Sequence, residues 1–529
     1  MNNYIKRDVD EIIENWDKGN VKSLMILGAR QVGKTSSIRH FIRKKYGLNE
    51  ETSIPEINIA TMDGAKELLL SNNGIEGMSF MQYVFVSLGI NVDLNKTNIV
   101  FIDEIQALSN DKKIKSSGTI KSILSMITKE DGLRFIFSGS LLGAKISNLE
   151  SLAKDVPGGM EQHRMYPLSF DEFVESVDGD TKYIEDARKS FERNENIKKD
   201  THIHLLKKFS EYSFVGGMPK AVVAYIEDKK YNVNDSLSAI LSLTSDYNVD
   251  VAKYFRDEYG VEIGEDVFNC LLFGLKQNNK KILMKKLKSE PMKKFYEYVV
   301  DSDVGLLIPH IDEINMPLSK QESPKTYFND IGFMRCLLKE HIDGVEDKKN
   351  PPKYLKSYFD VRDLEIQKRG FIDWIDGNAT NKPKDNGAFF EQVVAQCIKA
   401  KSYQYAYNYR ANPEQENEFI LLPDLTAIEV KSGGFADRTS SIEYAKSGKR
   451  VLFVTMLPYI GEYTERFILL PIYLLCFLKQ DEILKHSFVE ASKDAKEVVC
   501  CGLLPNNPAF IGNNRRNLMG LKKKRKFID

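Results

Sequence analysis

The sequence has no surplus of either charge. Lys plus Arg and Asp plus Glu each number 75 in 529 residues, so no basic field covers the whole molecule and any contact with nucleic acid must be local. It also lacks an apolar run of membrane length. The most apolar window, Phe467 to Leu478, is broken by Pro471 and falls well short of the ~20 residues that span a bilayer, so it reads as core. The first residues, Met1 to Asp8, carry no apolar stretch of the secretory type, and a cytoplasmic location is expected. The six cysteines, Cys270, Cys336, Cys397, Cys476, Cys500 and Cys501, show no C-x-x-C spacing. That excludes the usual structural zinc patterns and suits a reducing compartment. Of the seven histidines only His202 and His204 lie close together, and no neighbouring acid or cysteine completes a ligand set.

What is present is the composition of packed domains, with 42% apolar and 28% charged residues. The length calls for two to four domains of roughly 100 to 200 residues. Positive charge gathers only at the end, in Arg515, Arg516 and the run Lys522 to Lys526. Such a run serves either as a solvated tail or as an arm that contacts phosphate.

The segment Ser23-Leu24-Met25-Ile26-Leu27 has the length and apolar character of a buried strand. It runs into Gly28-Ala29-Arg30-Gln31-Val32-Gly33-Lys34-Thr35, with a helical pattern from about Ser36. Strand, glycine-rich loop and helix together form a phosphate cradle. Gly28 and Gly33 allow backbone angles closed to other residues, so successive N–H groups turn inward at the positive end of the helix. Lys34 is expected to reach the β- and γ-phosphates, and Thr35 to offer its hydroxyl to Mg²⁺. The backbone from Gly28 to Ser36 is the expected nucleotide-binding stretch.

A second apolar strand, Asn98 to Ile102, delivers Asp103 and Glu104 at its carboxyl end, the end where parallel α/β sheets bind ligands. Asp103 is expected to hold Mg²⁺, and Glu104 to take a proton from the attacking water. A third strand, Arg134 to Phe137, leads into Ser138-Gly139-Ser140. Ser138 stands there either as a sensor of the terminal phosphate or as a cap for a following helix.

From Leu141 to about Tyr259 helical patterns interrupted by turns dominate, and the part from 166 onward reads as a helical lid. Ser169 and Glu172 form a capping box there, and Gly216-Gly217-Met218-Pro219 makes a tight turn in which Pro219 opens a helix. Two helices and short strands at Val304–Pro309 and Lys325–Phe328 fit a winged-helix-like module, a type that contacts either DNA or protein partners. The expected divisions are 1–165 for the P-loop core, 166–260 for the lid, 261–345 for the winged-helix-like part, 354–485 for a C-terminal α/β domain and 486–529 for an extension.

In that C-terminal domain, Gly387 to Gln396 is an amphipathic helix with one acid, Glu391. It is followed by Glu418 on one strand and by Glu429-Val430-Lys431 on the next. A helix beside two strands can bring Glu391, Glu418, Glu429 and Lys431 together, the arrangement of a PD-(D/E)xK nuclease. There the carboxylates hold Mg²⁺ at the scissile phosphate and a lysine steadies the attacking water. Pro423-Asp424 lies too close to Glu429 to serve as the second acid and falls in the turn instead. An E-x-K strand that merely faces solvent is the alternative.

These motifs resemble prokaryotic AAA-like ATPases that join a P-loop domain to a C-terminal PD-(D/E)xK-like domain. The likeness runs over almost the whole chain. It is carried by Tyr4-Ile5-Lys6-Arg7, Arg30 to Thr35, Phe101-Ile102-Asp103-Glu104-Ile105-Gln106, Ser138 to Ser140, Tyr166 to Phe170, Gly216 to Pro219, Asn329 to Gly332, Gly387 to Val394 and Ile428 to Gly433. The resemblance implies an AAA/ASCE-type parallel sheet with helices on both faces, a winged-helix segment, a restriction-endonuclease-like α/β fold at the end, and ATP binding and hydrolysis. The sequence departs from the pattern twice. Glu418 stands where Asp is usual, lengthening a metal ligand by one methylene, and Gly158-Gly159 stands where a basic residue usually follows glycine, which leaves no arginine finger assigned. Three functions fit: a regulatory or remodelling ATPase acting through the C-terminal module, an ATP-regulated Mg²⁺-dependent DNA nuclease, and an ATP-dependent switch whose nuclease-like domain only binds a partner.

Overall fold

The computed structural model describes residues 4–71, 79–108, 132–140, 158–259, 302–308, 325–347, 363–379, 387–403, 406–412, 415–422, 424–431, 439–446, 448–464 and 466–495, with a few positions between them. The chain divides into two compact units. One comprises residues 1–166, 243–267 and 289–305, and the other comprises 167–242, 268–288 and 306–529. Most of 261–301, the body of the expected winged-helix-like module, lies outside the described residues.

The first unit is a five-stranded parallel sheet. Helix α1 (Asp8–Lys18) buries Val9, Ile13 and Trp16, a single face at helical spacing. Strand β1 (Ser23–Gly28) leads through the glycine-rich loop into α2 (Lys34–Tyr46). Then come β2 (Glu56–Asn58), α3 (Ala65–Ser71), α4 (Phe80–Ser87), β3 (Ile99–Asp103), β4 (Arg134–Ser140) and β5 (Met160–Arg164). The order across the sheet is β2-β3-β4-β1-β5. Strands β1 and β3 are buried along their whole length, as covered parallel strands must be. Met25, Leu27, Val100, Ile102, Phe135 and Phe137 pack with Met81, Val84 and Phe85 of α4.

Strand β5 falls within 141–259, where helical patterns dominate the sequence, and was not expected as a separate strand of the P-loop core. Its sequence, Met-Glu-Gln-His-Arg, has no apolar alternation and every residue is half-buried. It forms an edge beside β1, with Leu27 paired to Arg164. An edge strand exposes one side, so its composition carries little signal.

The second unit opens with α5 (Phe170–Asp178), α6 (Lys182–Glu192), α7 (Lys199–Val215) and α8 (Pro219–Ile226). The expected capping box is present, with the Glu172 carboxylate accepting from the Ser169 N–H at 2.7 Å, and Pro219 is the first residue of α8. Helix α9 (Val233–Tyr259) starts in this unit, while its residues from Leu243 onward belong to the first. Next come β6 (Gly305–Ile308), β7 (His310–Ile311), β8 (Lys325–Phe328), α10 (Ile331–Asp343), α11 (Leu364–Asp376) and α12 (Gly387–Ala400). The run β9 (Ala406–Asn412), β10 (Gln415–Leu421), β11 (Thr426–Lys431), α13 (Thr439–Lys446) and β12 (Val451–Thr455) follows, then β13 (Gly461–Thr464), β14 (Phe467–Pro471), α14 (Ile472–Phe477) and α15 (Gln480–Leu484). A seven-stranded sheet has the order β13-β14-β12-β11-β10-β9-β7. Strands β9, β10 and β11 run antiparallel to one another in turn, and β11, β12 and β14 run parallel. The window Phe467 to Leu478, read from sequence as core, is β14 and α14, and Ile468 through Leu478 are buried.

A buried polar knot holds this unit together. The Asp330 carboxylate accepts from the backbone N–H groups of Gly217 (2.6 Å) and Gly332 (2.8 Å) and from Gln396 Nε2 of α12 (2.8 Å). Burial raises its pKa to about 6, against the pull of those three donors. Gln392 grips the backbone of β8 twice, accepting from Phe328 N–H and donating to Phe328 C=O. The paired glycines of the tight turn act differently from each other. Gly216 needs both its φ of +80° and the space, since a Cβ there would stand 2.1 Å from Asp330 Oδ1, whereas Gly217 is needed for space alone, because a Cβ there would stand 2.3 Å from the Leu168 carbonyl oxygen.

The two close histidines do not share a site. His204 meets Asp178 at 2.6 Å, while His202 is buried, with Nδ1 2.8 Å from the Tyr473 hydroxyl. Burial lowers the His202 pKa to about 3, below the ~6.5 of an unfolded chain. The unfolded chain therefore binds the extra proton between those values, so stability is full above about pH 6.5 and falls as the pH drops toward 3. His202→Gln is expected to flatten the acid side of the stability profile by about 1.4 kcal/mol per pH unit between about pH 6.5 and 4. Urea unfolding across that range measures the slope, and an unchanged slope contradicts the assignment.

Candidate nucleotide site

The expected loop lies where the sequence puts it, between β1 and α2, at the carboxyl edge of the sheet. Gln31 (φ +61°) and Gly33 (φ +103°) take left-handed backbone angles, and Gly33 immediately precedes the first residue of α2, with no side chain capping the helix. The amides of the first turn are thus left for a ligand. Gly28 is required for closeness, since a Cβ would stand 2.1 Å from the Met165 carbonyl oxygen. The loop is braced from below by Arg7, 6% exposed, whose Nη1 donates to Val32 C=O and whose Nη2 donates to Tyr166 C=O, each at 2.7 Å. On its outer side the Tyr247 hydroxyl of α9 donates to Arg30 C=O, and Gln31 Nε2 donates to Asp246 at 3.0 Å.

Lys34 is folded onto its own loop. Its Nζ donates to Gly28 C=O (3.0 Å) and Ala29 C=O (2.8 Å). Burial lowers its pKa to about 8, while the charges of Glu104 and Asp103 pull the other way. Asp303, close enough for its charge also to reach Lys34, stands 3.6 Å from Arg164 at the end of β5. Ser36 is exposed at the start of α2.

Asp103 gathers the strand ends. Its Oδ2 accepts from the Thr35 hydroxyl (2.9 Å) and from Asn58 Nδ2 (3.3 Å), and its Oδ1 accepts from the Ser138 hydroxyl and from the Glu104 N–H (2.9 Å). The structure thus brings Lys34, Thr35, Asp103, Glu104 and Ser138 together from three separate stretches of chain. Of the two readings of Ser138, its contact is with Asp103; the residues after Ser140 lie outside the described ones. The Thr35 hydroxyl and the Asp103 carboxylate are hard oxygen donors side by side, a pair that suits Mg²⁺ once phosphate oxygens and water complete its shell. Glu104 sits just beyond β3 with φ +57°, and its carboxylate accepts from the Gln106 amide.

The C-terminal set is only partly described. Glu391 on α12 and Glu429 on β11 are 7% and 3% exposed, and Glu391 accepts from the Tyr327 hydroxyl. Glu418 and Lys431 lie on β10 and β11, but their side chains are outside the described residues. Phe419 pairs with Ile428 across β10 and β11. Asp424 lies in the turn between those strands. Among the described residues no group of three or more His, Cys, Asp or Glu could hold a metal ion, and no helix is long and apolar enough to cross a membrane.

The motifs alone did not assign Arg7, Asn58, Gln106, Asp246, Tyr247 or Asp303 to the site. Arg7 and Gln106 stand inside the motif stretches, so a signal existed for them. The others come from distant or featureless segments that only the fold brings near.

A family model described as an AAA domain matches residues 20–174, and one described as a domain of unknown function (DUF8612) matches 206–342. No curated protein matches the chain. Solved structures similar to it include the Walker-type ATPase PABY2304 of Pyrococcus abyssi, at 15% identity over 63% of this chain and 96% of that one with a TM-score of 0.37. Others are PCH-2 of C. elegans, at 12% identity over 46% and 70% with a TM-score of 0.26, and Cdc6p from Pyrobaculum aerophilum, at 13% identity over 57% and 83% with a TM-score of 0.21. The family match and the parallel sheet with its glycine-rich loop agree: residues 20–174 match an AAA domain and carry a P-loop type α/β sheet.

Proposed function

We propose that the chain binds ATP with Mg²⁺, hydrolyses it with Glu104 as general base, and uses the cycle to control its C-terminal α/β module. The observation that carries this reading is the meeting of Thr35, Asp103 and Ser138 beside Lys34 at one sheet edge. An arriving triphosphate would exchange with the loop carbonyls for the Lys34 amino group, and the first-turn amides of α2 would take the phosphate oxygens. Thr35 and Asp103 would hold Mg²⁺, which would supply positive charge at the phosphates. Glu104 would accept the proton of a water whose oxygen bonds to the γ-phosphorus, while the bond from that phosphorus to the β,γ-bridging oxygen breaks and ADP leaves.

A second reading, an ATP-regulated Mg²⁺-dependent DNA nuclease, draws support from the C-terminal topology. The run α12-β9-β10-β11-α13-β12, with β9 to β11 antiparallel and β12 parallel to β11, is the element order of restriction-endonuclease-like folds, and Glu391 and Glu429 are buried on two of those elements. Glu418, Glu429 and Lys431 would then carry cleavage. A module with that fold that only binds DNA or a protein partner is the remaining alternative.

Lys34→Ala is expected to weaken ATP binding at least tenfold. Glu104→Gln should keep binding but slow phosphate release by about 10²-fold or more. Fluorescent-nucleotide titration and a phosphate-release assay measure the two, and equal binding by wild type and Lys34→Ala sinks the proposal. Incubation of linear, circular and single-stranded DNA with Mg²⁺ or Mn²⁺ separates the other readings. Cutting that is lost in Lys431→Ala supports the nuclease, while DNA left intact by the wild-type protein removes it.

A further inference from the structure

Gln106 is 1% exposed, on the short 3₁₀ turn Ile105–Leu108 that follows Glu104. Its Nε2 donates to Glu104 Oε2, and its Oε1 accepts the backbone N–H of Ser140 at 3.0 Å. One amide thus joins the acid beyond β3 to the end of β4. The neighbouring residue shows how close that approach is: a Cβ on Gly139 would stand 3.2 Å from Gln106 Oε1 and 2.9 Å from Ile105 Cγ2. The missing side chain at 139 is what lets the amide close against the strand.

The end of β4 therefore touches both acids. Ser138 reaches Asp103 directly, and Ser140 reaches Glu104 through Gln106. Glu104 leaves a left-handed backbone position (φ +57°) just past the last residue of β3, so the strand ladder does not fix where its carboxylate points. With Oε2 occupied by the amide, Oε1 remains for a water.

We infer that Gln106 is the positioning residue for Glu104, coupling the orientation of that carboxylate to the end of β4, where the terminal phosphate would be sensed. This rests on the reading of Glu104 as the base of an ATP hydrolase. The role is one of aim: misplacement of a base by about an ångström is enough to cost on the order of 10²-fold in rate.

The test is a double-mutant cycle. Gln106→Leu is expected to slow ATP turnover at least tenfold while KM and fluorescent-nucleotide affinity stay within about twofold of wild type. In a Glu104→Gln background it should slow turnover no further. Gln106→Glu, of the same shape but without the donor, should repeat the loss, and Gly139→Ala, which crowds an intact Gln106, should reproduce it in part. The latter two carry the test if Gln106→Leu fails to fold. Normal turnover in Gln106→Leu, an equal loss in both backgrounds, or a loss that falls on KM overturns the inference. Absence of turnover in the wild-type protein overturns instead the reading beneath it.

Discussion

The first unit depends on the four hydrogen bonds received by one buried carboxylate. Asp103 takes them from α2 through Thr35, from β2 through Asn58, from β4 through Ser138, and from the Glu104 N–H. A carboxylate placed out of water must be satisfied by donors, and these donors are the ends of the elements that form the candidate nucleotide site. Satisfying the charge and assembling the site are therefore one requirement. Removing any one of the donors would leave the acid under-paired and also loosen the element that supplied it.

The second unit solves a similar problem with neutral amides. Gln392 and Gln396, on one face of α12, meet the backbone of β8 and of the Asp330 turn, and Asp330 in turn holds the two glycine amides. Buried amides that satisfy backbone groups fix geometry more than they add net stability. The consequence is that Glu391, on the same helix, is tied to Tyr327, so the acid that sequence spacing offers as a metal ligand already has a hydrogen-bond donor. Any metal at that carboxylate would share it with a tyrosine.

Much of the candidate nucleotide site is legible in the sequence because its chemistry is local. Gly28 through Thr35 form one continuous stretch, and Asp103, Glu104 and Ser138 each sit at the end of an apolar run that announces a strand. What escaped was of two kinds. Strand β5 has no apolar alternation because it is an edge, so no strand signal marks it. Asn58, Tyr247 and Asp303 come from segments whose nearness to the loop is a property of the fold. In the C-terminal domain the order of helix and strands followed from alternation and turn residues, but spacing could not foresee that Glu391 would find Tyr327. Likewise, the Gly-Gly pair marked the tight turn, but not that only Gly216 takes a positive φ while Gly217 makes room for the approach of Leu168.

The central claim is that Asp103 and Thr35 form the metal side of a triphosphate cradle. Calorimetric titration of ATP into the full chain, with and without Mg²⁺, tests it most directly when wild type is compared with Asp103→Asn. Uptake of one ATP per chain that tightens at least tenfold when Mg²⁺ is added is expected, with the substitution removing this tightening. No uptake by the wild-type chain, or an equal gain from Mg²⁺ in both proteins, contradicts it.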